Sequence, residues 1–292
     1  CSYPEGGGQE ADHGTITSDG TTLSVLDTRK EENLVFHLTN GPISVGKVIK
    51  GQVNAKRRRQ LMDHHTAVHI VGGAARRLLG PHIFQAGANK SEQSARLDIT
   101  HHRRLTRDDL DQIEAMANEV VRSVSKTEKI SLNRKDADIE FGFDLYQGGA
   151  PKGSEIRILK ISDHDIQACG GTHHDEPGKI GQIRVVRSNA VQDGVERLHI
   201  VAGQAAMEHA RQQEEILRSS ADVFQVPVDE LPSTANRFFN EWKEQRKKIE
   251  ALEAEIVRLR TSGGGDDISV VEGVRLVIME VDGDLKQMTK ML

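Results

Sequence analysis

The sequence predicts an α+β protein in which a β-rich, barrel-like N-terminal subdomain precedes a mixed α/β domain and a long helical segment. Three observations support this prediction. Short apolar runs separated by glycine, asparagine and aspartate turns fill the first fifty residues. Strand-like and helix-like segments then occur in groups rather than in strict alternation. Finally, apolar residues recur at helical spacing from Phe238 to Leu259.

Composition and charge restrict the class of protein. The chain has 292 residues with 44 acidic and 39 basic side chains, so its net charge is −5, and 3% of its residues are aromatic. No apolar run approaches the ~18 residues that a membrane span needs. The net negative charge also argues against a protein whose whole surface binds a polyanion such as a nucleic acid. Because the chain begins at Cys1 without a signal-like segment, we expect a piece of a longer intracellular protein.

Changes in local composition divide the chain into four expected segments: residues 1–52, 53–202, 203–262 and 263–292. The length suits about two full domains. The first segment is β-rich and opens with a glycine loop, and the second contains most of the histidines. Gly263-Gly264-Gly265 forms a linker. We expect a strand from Val274, a helix near Asp284, and a last domain that is truncated at Leu292.

The second segment contains the predicted core helices. Asp63 is the expected N-cap of a helix that ends near Leu78, before Gly80-Pro81. Thr106 and Asp109 have the spacing of a capping box and predict a second helix. Predicted strands cover residues 83–86, 96–99, 156–161, 180–186 and 197–201.

The third segment is predicted to be helical. Residues 204–220 form one helix, and prolines at 227 and 232 interrupt the pattern before a longer one. In the longer helix, apolar residues including Trp242 recur over about three heptads, with charged residues at the outer positions. This pattern is typical of a helical hairpin or a coiled coil.

Two pairs of residues have the spacing of metal ligands. His65 and His69 lie four residues apart, on one face of the predicted helix. Cys169 and His173 flank a glycine turn that lets both side chains face one cation. Three imidazoles and one thiolate are the donors that tetrahedral Zn²⁺ prefers. The sequence therefore predicts one zinc ion per chain, structural if all four ligands stay bound and catalytic if one position opens.

With these motifs assembled, the chain resembles alanyl-tRNA synthetase of the archaeal type, from its editing domain into the start of its C-terminal domain. The matching motifs are Tyr3-Pro4-Glu5-Gly6-Gly7-Gly8-Gln9 with Asp12, His65-Thr66-Ala67-Val68-His69, Gln85-Ala86-Gly87, Arg96-Leu97-Asp98-Ile99-Thr100-His101, Cys169-Gly170-Gly171-Thr172-His173, Gly178-Lys179-Ile180-Gly181 and Gln192-Asp193-Gly194-Val195-Glu196-Arg197.

The resemblance implies a cytoplasmic deacylase that hydrolyses tRNA(Ala) mischarged with serine or glycine, at a site where zinc positions the aminoacylated 3′ end. It implies that Gln85 orients the substrate and that the loop Gly6-Gly7-Gly8 with Gln9 covers it. The whole enzyme would use ATP and Mg²⁺ in its ligase domain and form a homodimer through its C-terminal region. No ATP-binding motif is visible here, so we expect no aminoacylation by this chain alone.

The group that recognises serine is left open by one departure from the family pattern. Val68 stands between the two ligand histidines, where bacterial relatives often carry a hydroxyl residue. Thr66, Thr100 and Thr172 are the alternative hydroxyls, and we assign Thr100 and Thr172 to the catalytic set with Gln85. Since Cys169 is committed to the metal, we expect direct attack by water.

Several alternatives remain open at this stage. The chain could be a free-standing trans-editing deacylase, a tRNA-binding module with a structural zinc ion, or a general zinc hydrolase. The basic pairs Arg76-Arg77 and Arg103-Arg104 and the run Lys56-Arg57-Arg58-Arg59 could bind tRNA phosphates or belong to solvated faces.

Overall fold

A computed structural model describes residues 2–32, 34–151, 153–262 and 268–277, with side chains described as far as residue 259. The chain forms two compact units, Cys1–Gln213 and Glu214–Leu292. The expected boundaries at 52 and 202 both fall inside the first unit, and the four-segment division stays a prediction.

The N-terminal strands form an open antiparallel sheet with the order β3-β2-β1-β4. Its strands are β1 Gly14–Ser18, β2 Thr21–Glu31, β3 Leu34–Thr39 and β4 Lys50–Val53. Asp19 and Gly20 both have positive φ in the tight turn that joins β1 to β2. Because β3 and β4 lie at opposite edges, these strands form no closed barrel, and the barrel-like prediction is wrong. Turn signals predict strands locally, whereas closure requires pairing of the edges, which no local signal specifies.

A second antiparallel sheet, of order β10-β11-β6-β5, supports the main core. Its strands are β5 Gln85–Lys90, β6 Ala95–Thr100, β10 Ile183–Gln192 and β11 Val195–Ala202. Leu97 and Ile200 on this sheet belong to the same buried cluster as Ile70 and Ile113 on the two covering helices. The strand predicted at 83–86 begins two residues later, and Pro177–Ile180 forms a 3₁₀ turn before β10.

The first covering helix, α1, spans Ala55–Leu79, and the side chain of Asn54 accepts from the backbone N–H of Arg57 at its start. The prediction that Asp63 caps this helix is therefore wrong. Two turns of Lys, Arg and Gln, all good helix formers, precede Asp63 and extend the helix backwards. Asp63 is buried and lies 2.6 Å from Nε2 of His174.

The second covering helix, α2, spans Arg107–Arg122 and begins with the predicted capping box. The backbone N–H of Asp109 donates to the Thr106 hydroxyl over 3.1 Å, and the backbone N–H of Thr106 donates to the Asp109 carboxylate over 2.7 Å. These two bonds confirm the predicted capping box. It could be predicted because both partners lie within one helical turn.

A small sheet of order β7-β8-β9 completes the first unit. Its strands are β7 Thr127–Asn133, β8 Glu155–Ile161 and β9 Asp165–Ala168, and α3 spans Arg134–Phe141. Ile156 and Ile158 of β8 pack with Ala137 of α3 in a second buried cluster. The sheet matters for the site because β9 ends one residue before Cys169.

The remaining elements are α4 Gln204–Phe224, α5 Leu231–Ser262, β12 Ile268–Val271 and β13 Val274–Val277. Pro232 occupies the first turn of α5 instead of preceding it. The Phe224 and Phe238 rings contact each other with their centroids 5.7 Å apart. Trp242 and Leu252 are each about half exposed, so the expected hairpin or coiled coil stays a prediction. The Gly263–Gly265 linker and the helix near Asp284 lie outside the described residues.

Among the residues that the structure describes, no helix has the length and apolar character needed to cross a membrane.

Candidate metal centre

The structure brings the four sequence-predicted ligands together. One ligand atom from each of His65, His69, Cys169 and His173 lies within 4.8 Å of the others. The Cys169 Sγ atom is 3.4 Å from Nε2 of His65 and 3.2 Å from Nε2 of His173. All three imidazoles are almost fully buried. The two sequence-distant pairs therefore form one compact cluster of three nitrogens and one sulfur.

Local geometry at both ends of the cluster explains its formation. His65 and His69 project from adjacent turns of α1, as their spacing predicts, and their rings stack with centroids 5.5 Å apart. Cys169 follows β9, and its backbone N–H donates to the Arg157 carbonyl over 2.9 Å. Gly171 then passes so close to the His65 ring that a Cβ atom would overlap it. A side chain at this position is incompatible with the observed approach.

Each imidazole is oriented by an oxygen outside the cluster. In every case one ring nitrogen contacts that oxygen, which leaves the other nitrogen for the centre of the cluster. The three contacts of Nδ1 are from His65 to Gln9 Oε1 at 2.7 Å, from His69 to Asp165 Oδ2 at 3.2 Å and from His173 to Thr66 Oγ1 at 3.4 Å.

The neighbouring histidines point elsewhere. Nδ1 of His64 lies 2.7 Å from the Ser91 carbonyl. His174 pairs with Asp63, and its backbone N–H donates to the Thr66 hydroxyl over 3.3 Å. His174 thus braces the segment that carries His173 without entering the cluster.

The protonation states favour ligation. Burial lowers the pKa of His65 and of His173 well below the ordinary range, and nearby positive charges lower both further. Burial alone raises the pKa of the Cys169 thiol, but the charge of His69, with the hydrogen bonds from His69 and Gly171, brings the net pKa below its ordinary value. Two neutral imidazoles and a readily formed thiolate are the forms that bind a metal.

His69 has the opposite shift. Burial lowers its pKa, but the charge of Cys169 and the hydrogen bond to Asp165 outweigh burial and raise the pKa to about 9. A metal ion must therefore displace a proton from His69. The complete donor set, three nitrogens and one sulfur in a buried cluster, fits Zn²⁺.

The glycine loop lies against β5. Gly8 has positive φ (73°), its carbonyl accepts from the backbone N–H of Lys90 over 2.6 Å, and a Cβ atom at Gly8 would overlap the Ala88 carbonyl. Gly6 and Gln9 form an isolated bridge that closes the loop. This packing carries Gln9 to the cluster, where its oxygen contacts His65 and also accepts from the backbone and hydroxyl of Thr172 over 3.1 Å.

Gln9 therefore contacts the cluster directly, and Thr172 contacts it through Gln9. Both were predicted from the resemblance as substrate or catalytic residues, and those roles stay predictions. The Nε2 atom of Gln9 is buried and has no partner among the described residues. Lys90, which the sequence analysis missed, is also buried, and its Nζ atom donates to the Gly7 carbonyl over 2.9 Å. Burial lowers the pKa of Lys90 to about 8.

A cavity of about 640 Å³ lies beside the cluster. Val68 and Asp165 line it, so the cavity reaches the same carboxylate that orients His69. Gln85 lines it too, and the Gln85 backbone N–H donates to Gln147 Oε1 over 3.0 Å. The sequence-predicted position of Gln85 near a substrate pocket is thus compatible with the fold, and its catalytic role stays a prediction.

Thr100 is engaged in a different contact. Its hydroxyl donates to the His82 carbonyl over 2.6 Å and accepts from the backbone N–H of Phe84 over 2.8 Å. These bonds hold the loop between α1 and β5. The expected catalytic role of Thr100 stays a prediction.

Two of the basic residues proposed for phosphate binding make contacts inside the protein. The guanidinium of Arg57 contacts the carboxylates of Glu10 and Glu92 at 2.8 and 3.0 Å, and that of Arg58 contacts Asp12. The pairs with Glu10 and Asp12 tie α1 to the segment after the glycine loop, and the pair with Glu92 ties it to the turn between β5 and β6. Phosphate binding by Arg57 and Arg58 would have to compete with them.

Asp165 is the candidate site residue that sequence reasoning missed most clearly. It lies 96 positions after His69, and no motif joins the two. A carboxylate at the start of the strand that ends beside Cys169 is the one available signal, and it is a weak one.

Comparison with known proteins decides the family. The alanine–tRNA ligase of Halobacterium salinarum is 46% identical over 287 residues, which cover 98% of this chain and 31% of that protein. The chain belongs to the alanyl-tRNA synthetase family. The ligase of Methanopyrus kandleri is 43% identical over 297 residues, or 99% of this chain and 32% of that protein. This chain therefore spans about a third of the length of these synthetases.

Two family profiles match separate parts of the chain. Residues 1–57 match class II (A) tRNA synthetases, and residues 156–199 match the second additional domain of threonyl- and alanyl-tRNA synthetases. The first match covers the open N-terminal sheet of this synthetase segment. The second contains Cys169 and His173, and so half of the four-residue cluster.

Proposed function

We propose that this chain is the editing part of alanyl-tRNA synthetase, and that it hydrolyses tRNA(Ala) mischarged with serine or glycine in the cytoplasm. The observation that carries the proposal is the buried cluster of three oriented imidazoles and Cys169, next to a cavity of about 640 Å³. One Zn²⁺ ion completes this site. The whole enzyme ligates alanine to tRNA with ATP and Mg²⁺, and forms a homodimer through its C-terminal region.

The need for such an activity follows from the size of alanine. A pocket that accepts alanine cannot exclude the smaller glycine by steric means, and one additional hydroxyl group gives only weak discrimination against serine. A second site that hydrolyses the wrong esters removes the resulting error. This argument concerns the substrate class and applies to any enzyme that selects alanine.

The reaction is ester hydrolysis. A water oxygen bonds to the carbonyl carbon, the bond between that carbon and the ribose oxygen breaks, and the ribose oxygen takes up a proton. The products are the free amino acid and tRNA with an intact terminal ribose. When bound, zinc supplies a positive charge that polarises the substrate and holds its 3′ end.

In this proposal, different residues of the site have different roles. Asp165 holds His69 and lines the cavity, so it is placed to contact both the cluster and a substrate. Gln85 also lines the cavity and offers an amide side chain for polar contacts with the substrate. The glycine loop holds Gln9 against His65, and Thr172 fixes the Gln9 amide. We assign binding and orientation to Gln85, and metal support to Gln9 and Thr172.

A tRNA-binding module with a structural zinc ion is the second candidate. The observation that favours it is the complete set of four protein ligands, since catalytic zinc sites usually keep one position for water. Such a module would bind tRNA and leave the ester intact. A free-standing trans-editing deacylase would share the chemistry of the main proposal.

The test is hydrolysis of Ser-tRNA(Ala) and Ala-tRNA(Ala) by the purified chain, with zinc measured on the same preparation. We expect serine to be released and alanine to be spared. Cys169→Ala should lose the zinc ion of this cluster and the activity, whereas Gln85→His should lose activity and keep that ion. Intact seryl ester on zinc-loaded chain that binds tRNA would support the structural module instead. Unchanged zinc and activity in Cys169→Ala would refute the ligand set.

A further inference from the structure

A second histidine cluster lies on two loops outside the metal centre. His82 is on the loop between α1 and β5, and His101 and His102 are on the loop between β6 and α2. One ring nitrogen of each lies within 4.8 Å of the others. The ring centroids of His101 and His102 are 4.7 Å apart, and those of His82 and His101 are 5.1 Å apart. The three imidazoles thus converge on one place.

The buried histidine of this cluster, His101, uses only one of its two ring nitrogens in contacts within the described residues. His101 is 5% exposed, and its Nδ1 atom lies 2.9 Å from Nε2 of His82. Its Nε2 atom is also buried and has no partner among the described residues. Buried polar atoms are nearly always paired. His101 thus contacts a second histidine through Nδ1 and still has a buried ring nitrogen that no group of the described residues satisfies, which points to a ligand that the protein itself does not supply.

The backbone around the cluster is held in place. The Thr100 hydroxyl bonds to the His82 carbonyl, and the backbone N–H of His101 donates to the Gly194 carbonyl over 2.9 Å. The exposed rings of His82 and His102 can turn without disturbing the core. Donor atoms around a tetrahedral zinc ion lie about 3.3 Å apart, given bonds of about 2.0–2.1 Å. Binding of the ion would require these two exposed rings to rotate until the three nitrogens reach that spacing.

Charge at the cluster is compatible with a cation. Arg103 adjoins the histidines, but its guanidinium is bound by the Asp109 carboxylate through contacts of 2.7 and 2.9 Å. Arg104 is paired with Glu196 at 3.0 Å.

We propose that His82, His101 and His102 form a second zinc site, distinct from the cluster that contains Cys169. Imidazole donors suit zinc, and three of them leave at least one coordination position for an oxygen ligand. The bound ion would link the loop before β5 to the loop after β6. Since Gln85 begins β5 and Thr100 ends β6, the link would fix the end of the sheet that carries Gln85. The proposal does not depend on the proposed editing function.

The experiment measures zinc in the untagged chain by mass spectrometry, after equilibration with micromolar Zn²⁺ and removal of free metal. We expect two zinc ions per chain, and one each in His82→Ala, in His102→Ala and in Cys169→Ala. The double variant His82→Ala/Cys169→Ala should retain none. His37→Ala, which alters an exposed histidine on β3, is the matched control and should keep both ions.

Cobalt substitution distinguishes the two sites. Thiolate-to-cobalt charge-transfer absorption can arise at the Cys169 cluster and not at a site of three imidazoles. His82→Ala should lose one equivalent of Co²⁺ and keep this absorption, whereas Cys169→Ala should lose the absorption and keep one equivalent. Equal metal content in the unaltered, His82→Ala and His37→Ala chains would overturn the proposal. Failure of the chain to retain more than one ion would overturn it equally.

Discussion

The amide oxygen of Gln9 lies 2.7 Å from Nδ1 of His65, across 56 positions of the sequence. Gln9 is fully buried, and the same oxygen accepts two further hydrogen bonds from Thr172. A residue of the N-terminal glycine loop thereby fixes both the ring orientation and the tautomer of a candidate ligand on α1. The loop and the metal centre are one structural unit.

Replacement of Gln9 by alanine should weaken zinc binding. Loss of an outer partner typically costs about 10–100-fold in metal affinity, because the ligand imidazole loses its orientation. Competition with a chelator of known affinity measures the change. Gln93→Ala, at an exposed position of the same first unit, is the control and should leave the affinity unchanged. Equal affinities for the two variants would show that Gln9 does not support His65.

The two glycines after Cys169 should respond very differently to substitution. A Cβ atom at Gly171 would overlap the His65 ring, whereas one at Gly170 would meet nothing within 4 Å. Neither glycine is among those with positive φ, so backbone strain does not separate them. Gly171→Ala should therefore lose the zinc ion of the Cys169 cluster and Gly170→Ala should keep it, as measured by metal analysis. Retention of zinc by Gly171→Ala would mean that the turn can move away from His65.

The buried pair of Asp63 and His174 should contribute strongly to stability. Both side chains are 5% exposed, and their closest atoms are 2.6 Å apart. Removal of one member of a buried pair leaves the other without its partner and costs about 3–5 kcal/mol. Asp63→Ala and His174→Ala should each lower the free energy of unfolding by this order, measured by urea denaturation. The double variant should lose much less than the sum, and additive losses would contradict the coupling.

The capping box of α2 should contribute to the free energy of unfolding, and this contribution should be lost at low pH. The hydrogen bonds and charge of Arg103, followed by hydrogen bonds from Thr106, hold the pKa of Asp109 well below its ordinary value. A carboxyl group with a lowered folded-state pKa stabilises the fold above its unfolded pKa, near 4, and loses this contribution as the pH falls below that value.

Asp109→Asn should therefore be less stable than the unaltered chain at pH 7, by about 0.3–1 kcal/mol for a charge near a helix N-terminus. The difference should shrink progressively below pH 4. Thermal unfolding followed by circular dichroism across this range measures it. A difference that is constant from pH 7 to pH 2 would show that the charge of Asp109 is not responsible.

Features of short sequence range could be predicted without the structure. The spacing of His65 and His69 places both on one face of any helix that contains them, and the Thr106–Asp109 capping box needs partners three residues apart. The glycines after Cys169 likewise indicated that His173 could turn back towards the thiol. In each case the physical cause lies within one or two turns of backbone.

Other features depended on how distant segments pack. The sequence alone predicted the two candidate ligand pairs, the α+β class and the family resemblance. The tertiary structure decided that Gln9 and Asp165 orient His65 and His69, that Arg57 and Arg58 serve internal ion pairs, and that the N-terminal sheet stays open. The physical reason is that burial and hydrogen bonding between residues far apart in the chain depend on the packing of whole elements, which local periodicity does not specify.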